Sequence, residues 1–295
     1  MNNYINRVLS ANWYPDICKT ADDYKVLAKH LHPDINPDPD AVSAFAHLNN
    51  LRNDFTKGYL FGDESGEYRS NYLEHKWSGD SQLLQASKAN YDTIVAAAKR
   101  NFDAKSFEHF MRYIPSNLGF EGEELVYRSG KKTIPLSKVI QLLPEENKDK
   151  HVNWMYSRMI EFVAMLESLG ITHAGLNPDS VFIVPETHAI RVVSFYHVCT
   201  DKVKTICGKY VNYYPPQLFE NKEAGSYVDI SLVKKTAICA LGDVSGSGVR
   251  LRSDKKVNPN VLDYLLTPDT EAFLSMKKWR EVLDKNYVKE FVVLA

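Results

Sequence analysis

Cysteine is scarce. The four cysteines, Cys18, Cys199, Cys207 and Cys239, are widely spaced with no Cys-x-x-Cys pair, which excludes a disulfide framework or a closely spaced zinc ribbon and reads as reduced thiols. Long apolar runs are missing too. The longest, such as Phe162 to Leu166 and Ile238 to Leu241, are far too short to span a bilayer as a helix, and the N-terminus has no basic stretch followed by an apolar one. Nor is there an excess of either charge: the formal net charge is -1, so neither a general nucleic-acid footprint nor an acidic tail follows. The expectation is a protein of the cytoplasm that works without membrane or nucleic-acid partners. What is present is ordinary globular composition, 44% hydrophobic and 25% charged over 295 residues, enough for two domains.

The most organised local pattern lies early. Tyr24, Leu27, Ala28 and Leu31 recur at helical spacing, with Lys25 and Lys29 on the opposite face, and the pattern stops at His32-Pro33-Asp34. After Asn36-Pro37-Asp38-Pro39-Asp40, Asp40 can cap a second helix on which Ala41, Ala44, Phe45, Leu48, Arg52 and Phe55 repeat. Two apolar faces joined by a short loop predict an antiparallel helical hairpin. Tyr4, Ile5, Val8 and Leu9 predict a short helix before it, ended at Trp13-Tyr14-Pro15. The simplest reading of His32 and Pro33 is a helix terminus. A metal reading of His30, His32 and His47 has no supporting ligand spacing.

This hairpin resembles the J-domain of DnaJ-type co-chaperones. The resemblance rests on His32-Pro33-Asp34 together with Lys25 to Leu31, Asn36-Pro37-Asp38 and the helix carrying Phe45 and Leu48, and covers about the first fifth of the chain. It implies an all-α domain whose His32, Pro33 and Asp34 dock on a DnaK-type chaperone and promote its ATP hydrolysis, with Lys25 and Lys29 as steering charges. Asp22 and Asp23 partly offset those lysines, which implies low affinity.

From Gly58 the pattern changes. Gly58, Gly62 and Gly66 punctuate, and Tyr68 to Trp77 reads as a strand of a small antiparallel sheet, placing a boundary near Lys57. Asp80 or Ser81 caps a helix running to Arg100; Phe107 to Tyr113 extends a second helix or begins a strand. Glu123 to Arg128 and Lys132 to Ile134 flank Ser129-Gly130 as a turn between strands, before a short helix from Pro135. Val152, Tyr156, Met159, Val163 and Leu166 form a helical stripe closed by Gly170. His173 to Ile183, a turn at Pro185 to His188, and Ile190 to Tyr196 then give loop, hairpin and loop. The small-residue stretch Gly242 to Gly248 reads as a flexible loop preceding no clear helix, and Asn258 to Val282 as closing helices.

The order resembles eukaryotic-like protein kinases. His173-Ala174-Gly175-Leu176-Asn177-Pro178-Asp179-Ser180 resembles the catalytic loop and Ser194-Phe195-Tyr196 the metal loop. Tyr213-Tyr214-Pro215-Pro216 resembles the end of the activation segment and Tyr227-Val228-Asp229 the bracing helix. The resemblance implies an α+β two-lobed domain over 58–295, with a small lobe over about 58–135 and a large lobe over about 136–295, after a J-domain over 1–57. It assigns Asp229 to the catalytic-loop backbone and His173 to a structural hydrogen bond. It also places Gly175, Ser180 and Ser194 where the family carries its base Asp, metal-binding Asn and metal-binding Asp. Glycine has no group to accept a proton, and serine is a poor magnesium ligand. Lys76 is the candidate phosphate lysine, but the helix from Ser81 to Arg100 holds no glutamate to pair with it, and a solvent-facing strand lysine is the simpler reading.

The combined expectation is a non-enzymatic co-chaperone that recruits a DnaK-type chaperone and stimulates its ATPase. Its pseudokinase domain would bind a client or partner, without catalytic residues, metal or obligatory cofactor. One alternative is an atypical kinase or nucleotide-binding enzyme using Mg-ATP through Asp179 or Asp201. Another is a structural adaptor with both domains degenerate.

Overall fold

The computed structural model describes residues 2–11 and 13–288. They divide into two compact units: residues up to 60 with 69–72, and residues 61–68 with those from 73 on.

The N-terminal unit holds four helices, α1 (Asn2–Leu9), α2 (Tyr14–Ile17), α3 (Ala21–Leu31) and α4 (Pro39–Lys57). Helix α3 begins with a capping box, in which Thr20 accepts from the Asp23 N–H and Asp23 accepts from the Thr20 N–H. Helix α4 is capped two residues earlier than expected, by Asp38, whose carboxylate accepts from the Asp40 N–H at 3.0 Å with Pro39 at the first helical position. Ile5, Val8, Leu27, Leu31, Ala41, Ala44 and Leu48 form one buried cluster. Each large aliphatic side chain there contributes about 1.5–3 kcal/mol of burial free energy. Leu9, expected on that face, is exposed. The far end of α4 is closed by aromatics: Trp13, Phe55, Tyr59 and Tyr72 meet edge-on or stacked at centroid distances of 5.0–6.5 Å. Gly58 ends α4 at φ 61°, where a Cβ would lie 2.1 Å from the Ser70 carbonyl oxygen, so only glycine fits there.

The second unit is of the two-lobed α+β kind. In chain order its strands and helices include β1 (Tyr59–Asp63), β2 (Gly66–Ser70), β3 (Glu74–Gly79), α5 (Ser81–Asn101), α6 (Ala104–Phe110), β4 (Gly119–Glu121) and β5 (Glu124–Arg128). The outer ends of β1 and β2 and the turn between them belong to this unit. The strands form a sheet in the order β1-β2-β3-β5-β4. The expected single strand from Tyr68 to Trp77 is two strands, because Tyr72 takes a left-handed φ of 76° and turns the chain. The tract from Gly58 to Gly62, which the glycines marked as punctuation, is mostly strand β1. Phe107 to Tyr113 is helical in its first half and never strand.

Strand β6 (Ile134–Pro135) leads into α7 (Leu136–Leu142), then α8 (Lys148–Ser168), β7 (Val181–Val184) and β8 (Ala189–Val192). The segments flanking Ser129-Gly130 do not pair with each other, contrary to expectation. Strand β5 pairs with β3 and β4, whereas β6 pairs with β7 in a separate sheet of order β6-β7-β8. Helix α8 buries Val152, Tyr156, Met159, Val163 and Leu166, and Gly170 turns its end at φ 67°. The remaining helices are α9 (Gln217–Asn221), α10 (Ser226–Ala240), α11 (Val249–Asp254), α12 (Pro259–Leu266) and α13 (Ala272–Asn286). Helix α11 starts directly after Gly248, so the stretch from Gly242 does lead into a helix. Apolar residues surround α10, which lies among α8, α12 and α13. Among the described residues no helix is long and apolar enough to cross a membrane.

Candidate functional site

Between α3 and α4 the chain is held from within. The Ile35 and Asn36 N–H groups both donate to the His32 carbonyl at 2.9 Å. Buried Asn36 donates its side-chain amide to the His30 carbonyl and accepts from the Asp38 N–H. These bonds fix the loop while its tip stays in water: Pro33, Asp34 and Ile35 are exposed. The His32 ring packs edge-on against Phe45 at 5.3 Å and accepts at Nδ1 from the Asp34 N–H at 3.2 Å, which leaves Nε2 as the ring's donor. Lys25 and Lys29 are exposed, and Lys25 is paired with Asp22 at 2.8 Å. His30 and His47 are engaged elsewhere, His30 stacked on Tyr4 and His47 bonded to the Ala11 carbonyl at 2.8 Å, so the three histidines form no metal site.

The second candidate site gathers around the loop between α8 and β7. Asp229 on α10 accepts from the His173 N–H at 2.7 Å and the Ala174 N–H at 2.8 Å. Burial pushes its carboxyl up to about 7, outweighing those two amide bonds. His173 is fully buried, held neutral by burial and by nearby His197 with a pKa of about 3, and accepts at Nδ1 from the Gly175 N–H at 3.3 Å. Ala174 sits at a left-handed φ of 55°, its carbonyl accepting from the Tyr214 hydroxyl at 2.6 Å.

Gly175 has no room for a side chain. A Cβ would lie 2.8 Å from His197 Cδ2, so the buried His197 ring fills the space beside it. The Ser180 hydroxyl is spent on the loop, donating to the Gly175 carbonyl at 2.7 Å and accepting from the Asn177 N–H at 2.9 Å. Ser194 donates to Asp63 Oδ2 at 2.5 Å, so a carboxylate from the end of β1 meets the start of the segment expected to resemble a metal loop. Lys76 lies beside Glu74 at 3.3 Å and Glu124 at 3.9 Å, partly exposed, on the strand face opposite buried His75 and Trp77. The inward face is aromatic instead. Tyr68 packs on Trp77 at 5.0 Å and Phe182 at 6.4 Å, and its hydroxyl donates to the Asp179 carbonyl.

Asp179 is buried, and its carboxylate accepts from Lys209 at 2.5 Å and from the Tyr210 hydroxyl at 2.9 Å. Asp201 is exposed, its backbone carbonyl accepting from the Ala224 N–H. Glu64, on the β1–β2 turn, lies 2.8 Å from His197 Nε2 and accepts from the Gly208 N–H at 2.8 Å. Burial raises its carboxyl, but the bonds from His197 and Gly208 win and hold it below the usual range. Glu64, His197 and Cys207 are the site residues that sequence reasoning missed. Their spacing carries no local signal, and only the return of the β1–β2 turn onto the segment after Ser194 joins them.

A small lobe rich in strand, a helical large lobe and a braced loop between α8 and β7 define a protein-kinase-like fold. The chain is similar to the ROP18 kinase domain solved in complex with AMP-PNP and sucrose, with a TM-score of 0.51 at 16% identity, over 76% of this chain and 78% of that one. Vaccinia related kinase 3 superposes with a TM-score of 0.49 at 11% identity, over 78% of this chain and 91% of that one. No family model matches the chain. No curated protein matches it by sequence either, the N-terminal helices included.

Proposed function

We propose that the chain is a co-chaperone of the J-domain kind, whose kinase-like unit binds a client or partner and performs no phosphoryl transfer. The observation that carries this reading is the loop at His32-Pro33-Asp34, braced from inside by Asn36 and exposed at its tip. A rigid, solvated turn at the end of a helical hairpin suits docking to a larger protein, because little order is lost on binding. Lys25 and Lys29 add modest, salt-sensitive steering, reduced by Asp22. The partner of this reading is a DnaK-type chaperone in the cytoplasm.

The kinase-like unit supports the non-enzymatic half. Phosphoryl transfer in this fold needs a base and two metal ligands in place. Here the His197 ring crowds the first, the loop backbone engages the hydroxyl at the second, and Asp63 meets the third. Asp63 and Glu64 add negative charge where a nucleotide's phosphates would need cations. Asp179, the best substitute ligand, is already paired with Lys209.

The test is the steady-state ATPase rate of a bacterial DnaK-type chaperone with wild type and with the His32→Gln variant. Stimulation of several-fold by wild type that vanishes in the variant is expected. No stimulation at micromolar protein would overturn the proposal for that chaperone.

A further inference from the structure

Among the described residues one group of potential metal ligands stands together: Glu64, His197 and Cys207, with a ligand atom from each lying within 4.8 Å of the others. They come from three segments far apart in sequence, the β1–β2 turn, the stretch after Ser194 and the start of the 208–213 helical turn. His197 is 3% exposed. Its Nε2 is buried and faces the Glu64 carboxylate at 2.8 Å. At the ring's other end Nδ1 lies 3.1 Å from the Thr205 hydroxyl. A ligating histidine needs this arrangement, with one nitrogen directed at the other candidate ligands and the second anchored by an outer partner that fixes the tautomer.

The donor set selects the metal. One thiolate, one imidazole and one carboxylate suit borderline Zn²⁺ far better than Mg²⁺ or Ca²⁺, which take oxygen ligands. Tetrahedral zinc with bonds of about 2.0–2.3 Å keeps its ligand atoms roughly 3.3–3.6 Å apart. Glu64 and His197 would therefore part slightly from their 2.8 Å contact, and Cys207 would close in from within 4.8 Å. Glu64 is an exposed turn residue that can make that small move.

We propose that Glu64, His197 and Cys207 form a zinc site with one position left for water or an external donor. Binding converts the Cys207 thiol to a thiolate bonded to Zn²⁺ and releases one proton to solvent. The ion ties the β1–β2 turn to the segment after Ser194 and to the segment around Cys207. The proposal does not depend on chaperone binding.

The full-length protein titrated with Co²⁺, and separately with Zn²⁺, tests this. One Co²⁺ per chain should produce the near-ultraviolet absorption of a thiolate–cobalt bond, and Zn²⁺ should displace it. Cys207→Ser should abolish that absorption and weaken Zn²⁺ binding by at least about 100-fold. Thr205→Val, which touches only the outer partner, should weaken it by about 10-fold with the absorption retained. Glu64→Gln, a change on an exposed turn that spares the core, should also weaken binding with the absorption retained, and it decides the matter if Cys207→Ser does not fold. Cobalt bound without thiolate absorption, absorption that survives Cys207→Ser, or no Zn²⁺ bound at micromolar concentration would each overturn the proposal. Binding by surface histidines gives the first of these outcomes.

Discussion

Gly175 shows how one residue can commit a site. A glycine in an ordinary loop gains stability when replaced by alanine, because the unfolded chain loses freedom. Here the added Cβ would press on His197 at 2.8 Å. Gly175→Ala should therefore destabilise the protein by about 1–3 kcal/mol, the usual penalty of overpacking, read from urea midpoints at constant m-value. A stabilised variant would mean that the His197 ring turns aside freely. Asp229 makes a different demand. Its buried carboxyl titrates near 7, whereas an unfolded aspartate titrates near about 3.9. Between those values the folded state keeps a proton that the unfolded state has released. The group's contribution is therefore complete below about pH 4 and is lost as the pH rises through 7. Wild type should lose stability relative to Asp229→Asn between pH 5 and pH 8, measured as paired urea melts. A difference that stays flat with pH would show that the two amide bonds keep the carboxylate ionised.

The β1–β2 turn is the element on which the second site hangs. It brings Asp63 to Ser194 and Glu64 to His197 and Gly208, so it ties the small-lobe sheet to the segment after β8. Restoring the family's carboxylate by Ser194→Asp would oppose two negative charges at hydrogen-bond distance. The variant should lose about 1–3 kcal/mol and show faster amide exchange at 63–66, and Asp63→Asn in the same chain should recover most of the loss. Additive effects in that double variant would mean that the two side chains do not meet. Much at this scale was legible in the sequence. The stripes on α3, α4 and α8 follow from apolar spacing, and the loop and hairpin order from His173 to Tyr196 follows from turn residues and short apolar runs. The break at Tyr72 was not legible, because a tyrosine in a left-handed turn, flanked by strand-forming residues, carries no local mark. Asp63 and Glu64 carried no mark either, because Ser194, His197 and Gly208, which they meet, lie more than a hundred residues away in sequence.

At the scale of the molecule, two units share one chain, and under the proposed function joining two binding modules would raise the local concentration of whatever the second holds for whatever the first recruits. That benefit would require no chemistry in the kinase-like unit. Mg-ATP would have to displace Asp63 from Ser194 and find a metal ligand while Asp179 is held by Lys209 and Tyr210. It would also have to enter beside an aromatic cluster of Tyr68, Trp77 and Phe182 that is almost wholly buried. A ligand present at a hundred times its dissociation constant stabilises the folded state by about 2.7 kcal/mol, which moves a melting temperature by several degrees. Millimolar Mg-ATP should leave the melting temperature of wild type and of Asp179→Ala unchanged. A magnesium-dependent rise in wild type that disappears in Asp179→Ala would instead assign Asp179 to a metal and favour an atypical kinase on this scaffold. A rise that needs ATP but not magnesium would point to nucleotide held by the unit as an effector. Because His32→Gln leaves the kinase-like unit untouched, the same thermal measurement on that variant separates a nucleotide effect there from any role of the N-terminal loop.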